Sequence, residues 1–227
     1  MNREMLTPRY FYADDFRQFY EYFLSQPHVE RIFHKGDYLW KPGSPYEKIH
    51  YIESGIAMHY ADHESGNRKI ISFHSGGTVY PGYRQHNFKI ELSLTTIALS
   101  EMKVLEFTKE QFGLMFQNNT ELSEAVVNWY ASFINRFLFE SIHQEYNSSL
   151  TKLCNLIFIL NKNQSNGLNL IQDITQDELA ALLGISRVQL TRGLSVLRSR
   201  NIISTGRDKI EILNLPLLSD LCTSEVF

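Results

Sequence analysis

The chain has 227 residues and a mass of 26.5 kDa, enough for one large domain or two small ones. Hydrophobic residues make up 43% and charged residues 21%, a composition that excludes an intrinsically disordered chain. The net charge of −3 excludes a globally basic nucleic-acid-binding protein but says nothing about a local basic surface.

The cysteine content and the N-terminus indicate the compartment. Two cysteines, Cys154 and Cys222, are too few for a disulfide framework or a four-thiolate cluster within one chain. The opening residues MNREMLTPRYFYADDF are acidic and aromatic where a signal peptide has a basic start and an apolar core. The apolar stretches fall far short of the roughly 20 residues that a membrane-spanning helix requires. We therefore expect a cytoplasmic protein without a membrane partner.

The first half of the chain predicts a short docking helix followed by a β-rich domain. Aromatic residues recur at near-helical spacing over residues 10–23. From about residue 33 to 107, turn signals such as Pro42-Gly43-Ser44-Pro45 arrive every ten or so residues. This spacing predicts an antiparallel β sandwich or barrel. The apolar runs between the turns predict strands at 48–52, 69–73, 90–98 and 103–107.

A helical pattern begins at Thr108. Residues 108–146 contain no proline and predict a short helix and then a long one, with the break at Asn118-Asn119-Thr120. The long helix carries two adjacent apolar stripes, more than one small barrel can cover, so we expect it to be shared with a second copy of the chain. The first stripe, predicted at the dimer interface, is Leu122, Val126, Trp129, Phe133 and Phe137, and the second is Tyr130, Ile134, Leu138 and Ile142.

The segment from Thr175 to Leu197 predicts two short helices joined through a glycine. Thr175 and Glu178 form the capping-box pattern that begins the first helix. Gly184 supplies a tight exit, and Ser186 caps the second helix. This arrangement is typical of the helix-turn-helix, whose second helix lies in the major groove of DNA.

The exposed start of the second helix carries side chains suited to reading bases. Arginine can bond guanine bidentately, glutamine can pair with adenine, and valine can pack against a thymine methyl. Between Ser186 and Lys209, six basic residues accompany one acidic residue, a local net charge of +5. This charge favours DNA binding over a hairpin used only for core packing. The predicted DNA-binding residues are Thr175, Ser186, Arg187, Val188, Gln189, Thr191, Arg192 and Arg198.

The helix-turn-helix, followed by Ile202-Ile203 and a hairpin, resembles the winged helix of the CRP/FNR family of bacterial transcription regulators. Upstream, the segments GDYLWKPGSP at 36–45 and IHYIESG at 49–55 are similar to the opening of that family's β-roll, and Gly66 and Gly76-Gly77 fall at its usual turns. The resemblance covers nearly the whole chain. It implies an α+β fold with a cyclic-nucleotide-binding-like β-roll (jelly roll), a long dimerisation helix and a C-terminal winged helix-turn-helix. It also implies a homodimer whose effector pocket lies between the roll and the long helix.

The patterns and the resemblance together predict three parts of the chain. Residues 1–108 form the effector-sensing β-roll with its N-terminal helix. Residues 109–146 form the linking and dimerisation helices. Residues 147–227 form the winged-helix DNA-binding domain, which begins with a helix at 148–160 after a linker near 145–150.

Departures from the family pattern limit the effectors that the chain is expected to bind. Cyclic-AMP receptors of the family carry Gly-Glu-Leu and later an Arg-Ser pair that grips the phosphate, whereas here Gly77 is followed by Thr78-Val79-Tyr80 and the pair reads Leu92-Ser93. A buried phosphate would lack its bidentate partner, so we do not expect cyclic AMP. The N-terminal cysteines of the iron–sulfur members are absent, so we do not expect a cluster. His74 and His86 are isolated histidines, so we do not expect haem either. No cofactor or metal is therefore predicted.

An aromatic wall with one cation remains near the expected pocket. It suits a small organic acid or phenol, with Arg84 pairing with an anion. This resembles the branch of the family that senses halogenated aromatics, which also has an apolar residue at the place of Val188. The alternative is that these aromatics are ordinary core and dimer packing. The predicted pocket residues are Tyr80, Tyr83, Arg84, Ser93, Trp129, Tyr130 and Phe133.

The sequence therefore predicts an effector-responsive regulator that binds a palindromic promoter site as a homodimer. An enzyme is not predicted, because the chain has no G-x-S-x-G, H-E-x-x-H, Walker or G-x-G-x-x-G pattern. RNA polymerase is a further partner if the protein activates transcription. Val188 stands where many family members place a glutamate that accepts from cytosine, which shifts the expected half-site toward A and T. The alternative is a ligand-binding module whose helix-turn-helix serves protein interaction.

Overall fold

The computed structural model describes residues 5–162, 174–206 and 209–227, which divide into two compact units. The first unit comprises Phe11–Asn67 and Ile71–Phe133. The second comprises the described parts of Met1–Tyr10, Arg68–Ile70 and Ile134–Phe227. Arg207 and Asp208, which contribute to the basic segment of the sequence, lie outside the described residues. The predicted domain boundaries at 108 and 146 stay a prediction.

Two β-sheets form the predicted roll. The strands are β1 Phe11–Tyr12, β2 Val29–Phe33, β3 Tyr38–Trp40, β4 Lys48–Ser54, β5 Ile56–Asp62, β6 Arg68–Ser75, β7 Thr78–Tyr80, β8 Leu94–Ala98 and β9 Met102–Thr108. One sheet has the strand order β1-β6-β5-β8-β3 and the other β2-β9-β4-β7. The pairs β2–β9, β4–β9, β4–β7, β3–β8 and β5–β8 are antiparallel, and β1 runs parallel to β6.

The N-terminal segment differs from the single docking helix that its aromatic spacing predicts. Phe11 and Tyr12 pair with β6 as a strand, and the positive φ of Asp14, 64°, prevents a helix from running through this point. Only a 3₁₀ turn at Arg17–Phe19 and helix α1 at Tyr20–Leu24 are helical. The predicted strand at 90–98 is likewise shorter, because Lys89–Ser93 form a 3₁₀ helix before β8.

Aromatic side chains form the main core of the first unit. Phe16, Phe19 and Phe23 are buried there, and the ring of Phe23 contacts Tyr51 of β4 and Phe107 of β9, so the N-terminal segment docks as expected although its helix is short. Removing one such ring from water contributes about 1.5–3 kcal/mol to the stability of the folded chain. The other buried members include Tyr12, Tyr51, Phe107, Phe112, Leu122, Val126 and Trp129.

Two helices follow the roll, with the break where the sequence predicts it. Helix α2 spans Lys109–Asn118 and helix α3 spans Thr120–Tyr146. The hydroxyl of Thr108 accepts the N–H of Gln111 at 3.1 Å, and Asn119 Oδ1 accepts the N–H of Leu122 at 3.0 Å, so each helix starts on a side-chain cap. Although α3 has 27 residues, within the described ranges no helix is apolar enough over a sufficient length to cross a membrane.

The C-terminal part of the second unit is a winged helix-turn-helix. Ile203 pairs with Ile212 in the antiparallel wing. The elements are α4 Ser149–Lys162, α5 Gln176–Leu183, α6 Arg187–Ser199, β10 Ile203–Gly206, β11 Lys209–Ile212 and α7 Leu215–Ser219. At Gly193 of α6, a Cβ would lie 2.9 Å from Leu153 Cδ2, so the glycine lets α6 pack closely against α4.

Polar side chains anchor the C-terminal end of α5, a feature that the sequence pattern does not reveal. Lys69 Nζ donates to the carbonyl of Leu182, and Gln144 Nε2 donates to that of Leu183 at 2.8 Å. These bonds satisfy carbonyls that a helix end leaves without a partner. Lys69 also pairs with Glu140 at 2.8 Å, although burial lowers the pKa of the lysine. The first helix of the helix-turn-helix is thereby held to α3.

Candidate functional site

Two capping boxes and one glycine set the geometry of α5 and α6. Thr175 Oγ1 accepts the N–H of Glu178 at 3.2 Å, and the Glu178 carboxylate accepts the N–H of Thr175 at 2.8 Å. Gly184 ends α5 with a φ of 65°, in the left-handed region that glycine adopts without a steric cost. Ser186 and Gln189 form the second box at the start of α6. The predicted helix-turn-helix is confirmed.

Helix α6 has one buried and one exposed side. Leu190, Leu194 and Leu197 are buried, as their spacing predicts. Val188 is 58% exposed on the other side, where it can meet a partner. The residues predicted to bind DNA are all exposed: Thr175, Ser186, Arg187, Val188, Gln189, Thr191, Arg192 and Arg198.

Gln189 has a second task that the sequence assignment missed. Its Oε1 accepts the backbone N–H of Ser186 at 2.9 Å. Pairing with adenine uses both the oxygen and the NH₂ group of a glutamine, so the expected adenine contact requires this cap to open. The sequence does contain the signal for this cap, because Ser186 and Gln189 form the same kind of capping-box pattern that located α5.

A groove of about 260 Å³ lies where the starts of α5 and α6 meet the wing. Arg187 pairs there with Asp177, which holds the guanidinium at the mouth of the groove. Arg198 Nη1 donates to Thr205 Oγ1 at 2.8 Å and so joins α6 to the wing. The groove therefore brings two predicted DNA-binding residues, Thr175 and Arg187, together with Thr205, Gly206 and Lys209 of the wing.

Models of two protein families match the chain on either side of α3. A Crp-like helix-turn-helix domain matches residues 151–221. A cyclic nucleotide-binding domain matches residues 30–119. The chain belongs to the CRP/FNR family. Members of this family are DNA-binding transcription regulators, and this chain is a regulator rather than an enzyme.

Relatives and solved structures agree with this assignment. The global nitrogen regulator of Synechocystis sp. is 22% identical over 210 residues, which cover 87% of this chain and 90% of the relative. The structure of FixK2 from Bradyrhizobium japonicum has a TM-score of 0.73 at 14% identity, covering 87% of this chain and 98% of that one. CprK complexed with OCPA has a TM-score of 0.71 at 16% identity, covering 96% and 98%. The α+β fold predicted from the sequence is confirmed.

The structure corrects the predicted dimer stripe of α3. Leu122, Val126 and Trp129 are buried in the core of the chain's own first unit, so a second copy cannot contact them. Phe133 is partly buried there, and Phe137 is 51% exposed. Of the second stripe, Tyr130 is partly buried against the same core, whereas Ile134, Leu138 and Ile142 are 58%, 62% and 58% exposed. Both stripes are thus covered at their start and exposed from residue 134 on, and their period could not show where along the helix the cover ends.

Several residues of the predicted effector pocket are packed into the core. The ring of Phe133 lies 4.3 Å from that of Tyr12 and 4.4 Å from that of Trp129. Tyr130 Oη donates to the carbonyl of Tyr83 at 3.1 Å. Ser93 is exposed. The alternative of ordinary core packing therefore describes Trp129 and Phe133 in this conformation.

Arg84, which the sequence predicts to pair with an anionic ligand, already has an anionic partner within the chain. Its guanidinium pairs with the buried carboxylate of Glu91 and lies 4.0 Å above the ring of Tyr46. Its Nε donates to the carbonyl of His86 at 3.1 Å. An anion that binds Arg84 must therefore compete with Glu91. The pair brings residues from a loop and a 3₁₀ helix together, and no local pattern in the sequence signals it.

Tyr80 does line a cavity, on a side of the roll that the prediction did not consider. Its hydroxyl accepts a hydrogen bond from Thr96 Oγ1 at 3.2 Å, and burial raises its pKa. The cavity has a volume of about 270 Å³ and lies where β3 and the start of β4 meet the end of β7. Its lining residues are Tyr38, Leu39, Trp40, Lys41, Ser44, Pro45, Tyr46, Lys48, Tyr80 and Pro81.

Proposed function

We propose that two copies of this regulator associate through α3 and bind a palindromic DNA site in the cytoplasm, under the control of a small organic effector. The observation that carries the dimer is the exposed stripe of Ile134, Leu138 and Ile142. Apolar residues four positions apart lie on one face of a helix. An exposed apolar patch of this kind commonly marks an interaction surface.

The exposed face of α6 supports the proposed mode of DNA recognition. Arg192 and Val188 lie on the solvent side of a helix whose other side is buried. In a symmetric dimer two such helices enter successive major grooves, so the half-sites lie about one helical turn apart. The effector then shifts an equilibrium between dimer states that place these helices differently. RNA polymerase is the proposed partner through which the bound dimer changes transcription.

The dimer is tested with two matched substitutions of exposed leucines. Leu138→Glu places a charge in the stripe of α3, and Leu114→Glu places one on α2, where the leucine is equally exposed at 60%. Sedimentation equilibrium should give twice the chain mass for the wild type and for Leu114→Glu, and a monomer for Leu138→Glu. Fluorescence anisotropy should show that only Leu138→Glu loses its preference for the palindrome over a single half-site. A Leu138→Glu protein that remains dimeric would refute this interface.

The residues at the position where the family's cyclic-AMP receptors hold the phosphate support a small organic effector other than cyclic AMP. Leu92 and Ser93 stand there and are exposed, and Arg84 is already paired with Glu91. A cyclic phosphate would thus lack a free bidentate partner at this point. Native mass spectrometry of the purified protein should give a dimer, bare or with a small-molecule increment. Tight binding of cyclic AMP, or a haem or cluster increment, would contradict the proposal.

A further inference from the structure

The cavity lined by Tyr80 has walls that suit a planar ring. Trp40 and Tyr46 stack on each other with 5.6 Å between ring centroids and an angle of 29°, and Tyr38 stands at the rim. The volume of about 270 Å³ is just below the range of about 300–1,000 Å³ that is typical of ligand sites. A single aromatic ring with one short substituent fits this volume, and aromatic walls favour it by stacking.

The rim of the cavity is basic. Lys41 is exposed, and its Nζ lies 5.1 Å from the ring centroid of Tyr38. Lys48 Nζ lies 3.3 Å from Glu106, whose carboxylate also pairs with Arg31 at 2.8 Å. The Glu106 carboxylate is thus shared between Lys48 and Arg31. Lys41 forms no ion pair within the described residues, so it can meet a ligand without breaking one. An anionic group on the ring would lie beside Lys41 and Lys48, whereas a cationic group would be repelled.

One wall of the cavity is connected to α3. Tyr46 Oη donates to the carbonyl of Gly82, and burial raises the pKa of this phenol, so it remains a donor. Gly82 contacts α3 so closely that a Cβ there would clash with the ring of Trp129 and lie 2.9 Å from Tyr130 Oη. A ligand that moves the ring of Tyr46 therefore acts on a loop that lies directly against the long helix.

We propose that this cavity binds a small aromatic carboxylate, with the ring beside Trp40 and Tyr46 and the carboxylate at Lys41 and Lys48, and that Tyr46 transmits occupancy to α3 through Gly82. This inference rests on the proposed effector-responsive function and locates the effector away from Trp129 and Phe133, which are already packed. Only a ligand that binds two states of Tyr46 with different affinity can change DNA binding by this route.

Ligand binding is tested by calorimetry on the full-length protein with benzoate and phenylacetate as probes. The neutral amides benzamide and phenylacetamide have nearly the same shape and lack the charge. We expect the carboxylates to bind at least about tenfold more tightly than the amides, and Lys41→Ala to remove about this factor. Lys35→Ala, an exposed lysine outside the cavity, is the matched control and should change nothing. Equal affinity of acid and amide, no detectable binding of either acid, or an unaltered Lys41→Ala variant would overturn the site.

Transmission is tested with Tyr46→Phe, which keeps the ring and removes the hydroxyl that donates to Gly82. Calorimetry first gives the benzoate affinity of this variant, and at a benzoate concentration that saturates it, benzoate should no longer change its DNA affinity in an anisotropy assay. Benzoate that still changes the DNA affinity of Tyr46→Phe would overturn the route through Gly82. Palindrome binding without any probe is measured in parallel: if it persists while both acids fail to bind, the cavity assignment fails and the proposed DNA recognition stands.

Discussion

The side-chain oxygen of Gln189 accepts the backbone N–H of Ser186 at 2.9 Å, while the hydroxyl of Ser186 accepts the N–H of Gln189 at 3.2 Å. This reciprocal pair begins the recognition helix α6 and satisfies two donors that a helix start leaves free. It also occupies the amide that would otherwise read adenine. Stability and base reading therefore compete for one side chain.

Two substitutions separate these roles of Gln189. Gln189→Ala removes the cap and should lower the free energy of unfolding by about 1 kcal/mol. Gln189→Glu keeps the acceptor, because glutamate is the other residue that completes a capping box, and should leave stability unchanged or slightly higher. Chemical denaturation measures both. An unaltered stability of Gln189→Ala, with lost discrimination between DNA sites, would assign Gln189 to base reading instead.

Arg192 is exposed on α6 and is expected to contact DNA. Arg192→Ala should weaken specific binding by about 1–3 kcal/mol, or reduce the salt dependence by about one power if the contact is to a phosphate. The dimer mass should not change. Anisotropy titrations over a range of salt concentrations distinguish the two cases, with Lys35→Ala as the control. Equal affinity of Arg192→Ala and wild type at every salt concentration would remove this residue from the interface.

Val188 is expected to set the base preference at one position of each half-site. Its side chain can only pack, for example against a thymine methyl, whereas glutamate accepts from the amino group of cytosine. Selection from random DNA should return A or T at this position for the wild type and C for Val188→Glu. A wild-type site that depends on C at this position would contradict the assignment.

Local patterns predicted the elements that local forces determine. The caps at Thr175 and Ser186 and the left-handed glycine at 184 each depend on residues within four positions of one another, so the sequence is sufficient to find them. The β-rich domain was predicted from the spacing of its turns, and its roll from the family resemblance. The late start of the N-terminal helix was missed because it depends on the pairing of Phe11 and Tyr12 with a strand about sixty residues later.

Contacts between distant residues determined what the sequence could not predict. Leu122 and Leu138 both belong to apolar stripes of α3, and only the packing of the roll makes the first buried and the second exposed. Arg84 was expected to pair with an anionic ligand, and its pairing with Glu91 depends on the fold of the loop between them. The aromatic cavity combines residues of β3, β4 and β7, and their side chains meet only after both sheets have formed.

His143 of α3 is buried beside a lysine and should make stability depend on pH. Its ring stacks on Phe139 at 4.5 Å, and the Asn147 amide donates to Nδ1 at 2.6 Å. Burial, followed by the charge of Lys152, lowers the pKa of His143 to about 4. The facing charges also include Glu140, Glu225 and Lys69, of which the two carboxylates act in the opposite direction to the burial.

The lowered pKa of His143 fixes the sign of the effect. Between about pH 6.5 and 4 the unfolded chain binds a proton that the folded chain does not, so the free energy of unfolding falls as the pH falls through this range. The full shift corresponds to on the order of 3 kcal/mol, since one pKa unit represents about 1.4 kcal/mol. His143→Gln, which cannot be protonated, should flatten the pH dependence of urea denaturation between pH 7 and 4.5. His63→Gln, at an exposed position, should leave the slope as in the wild type, and an equally steep slope in His143→Gln would show that another group titrates.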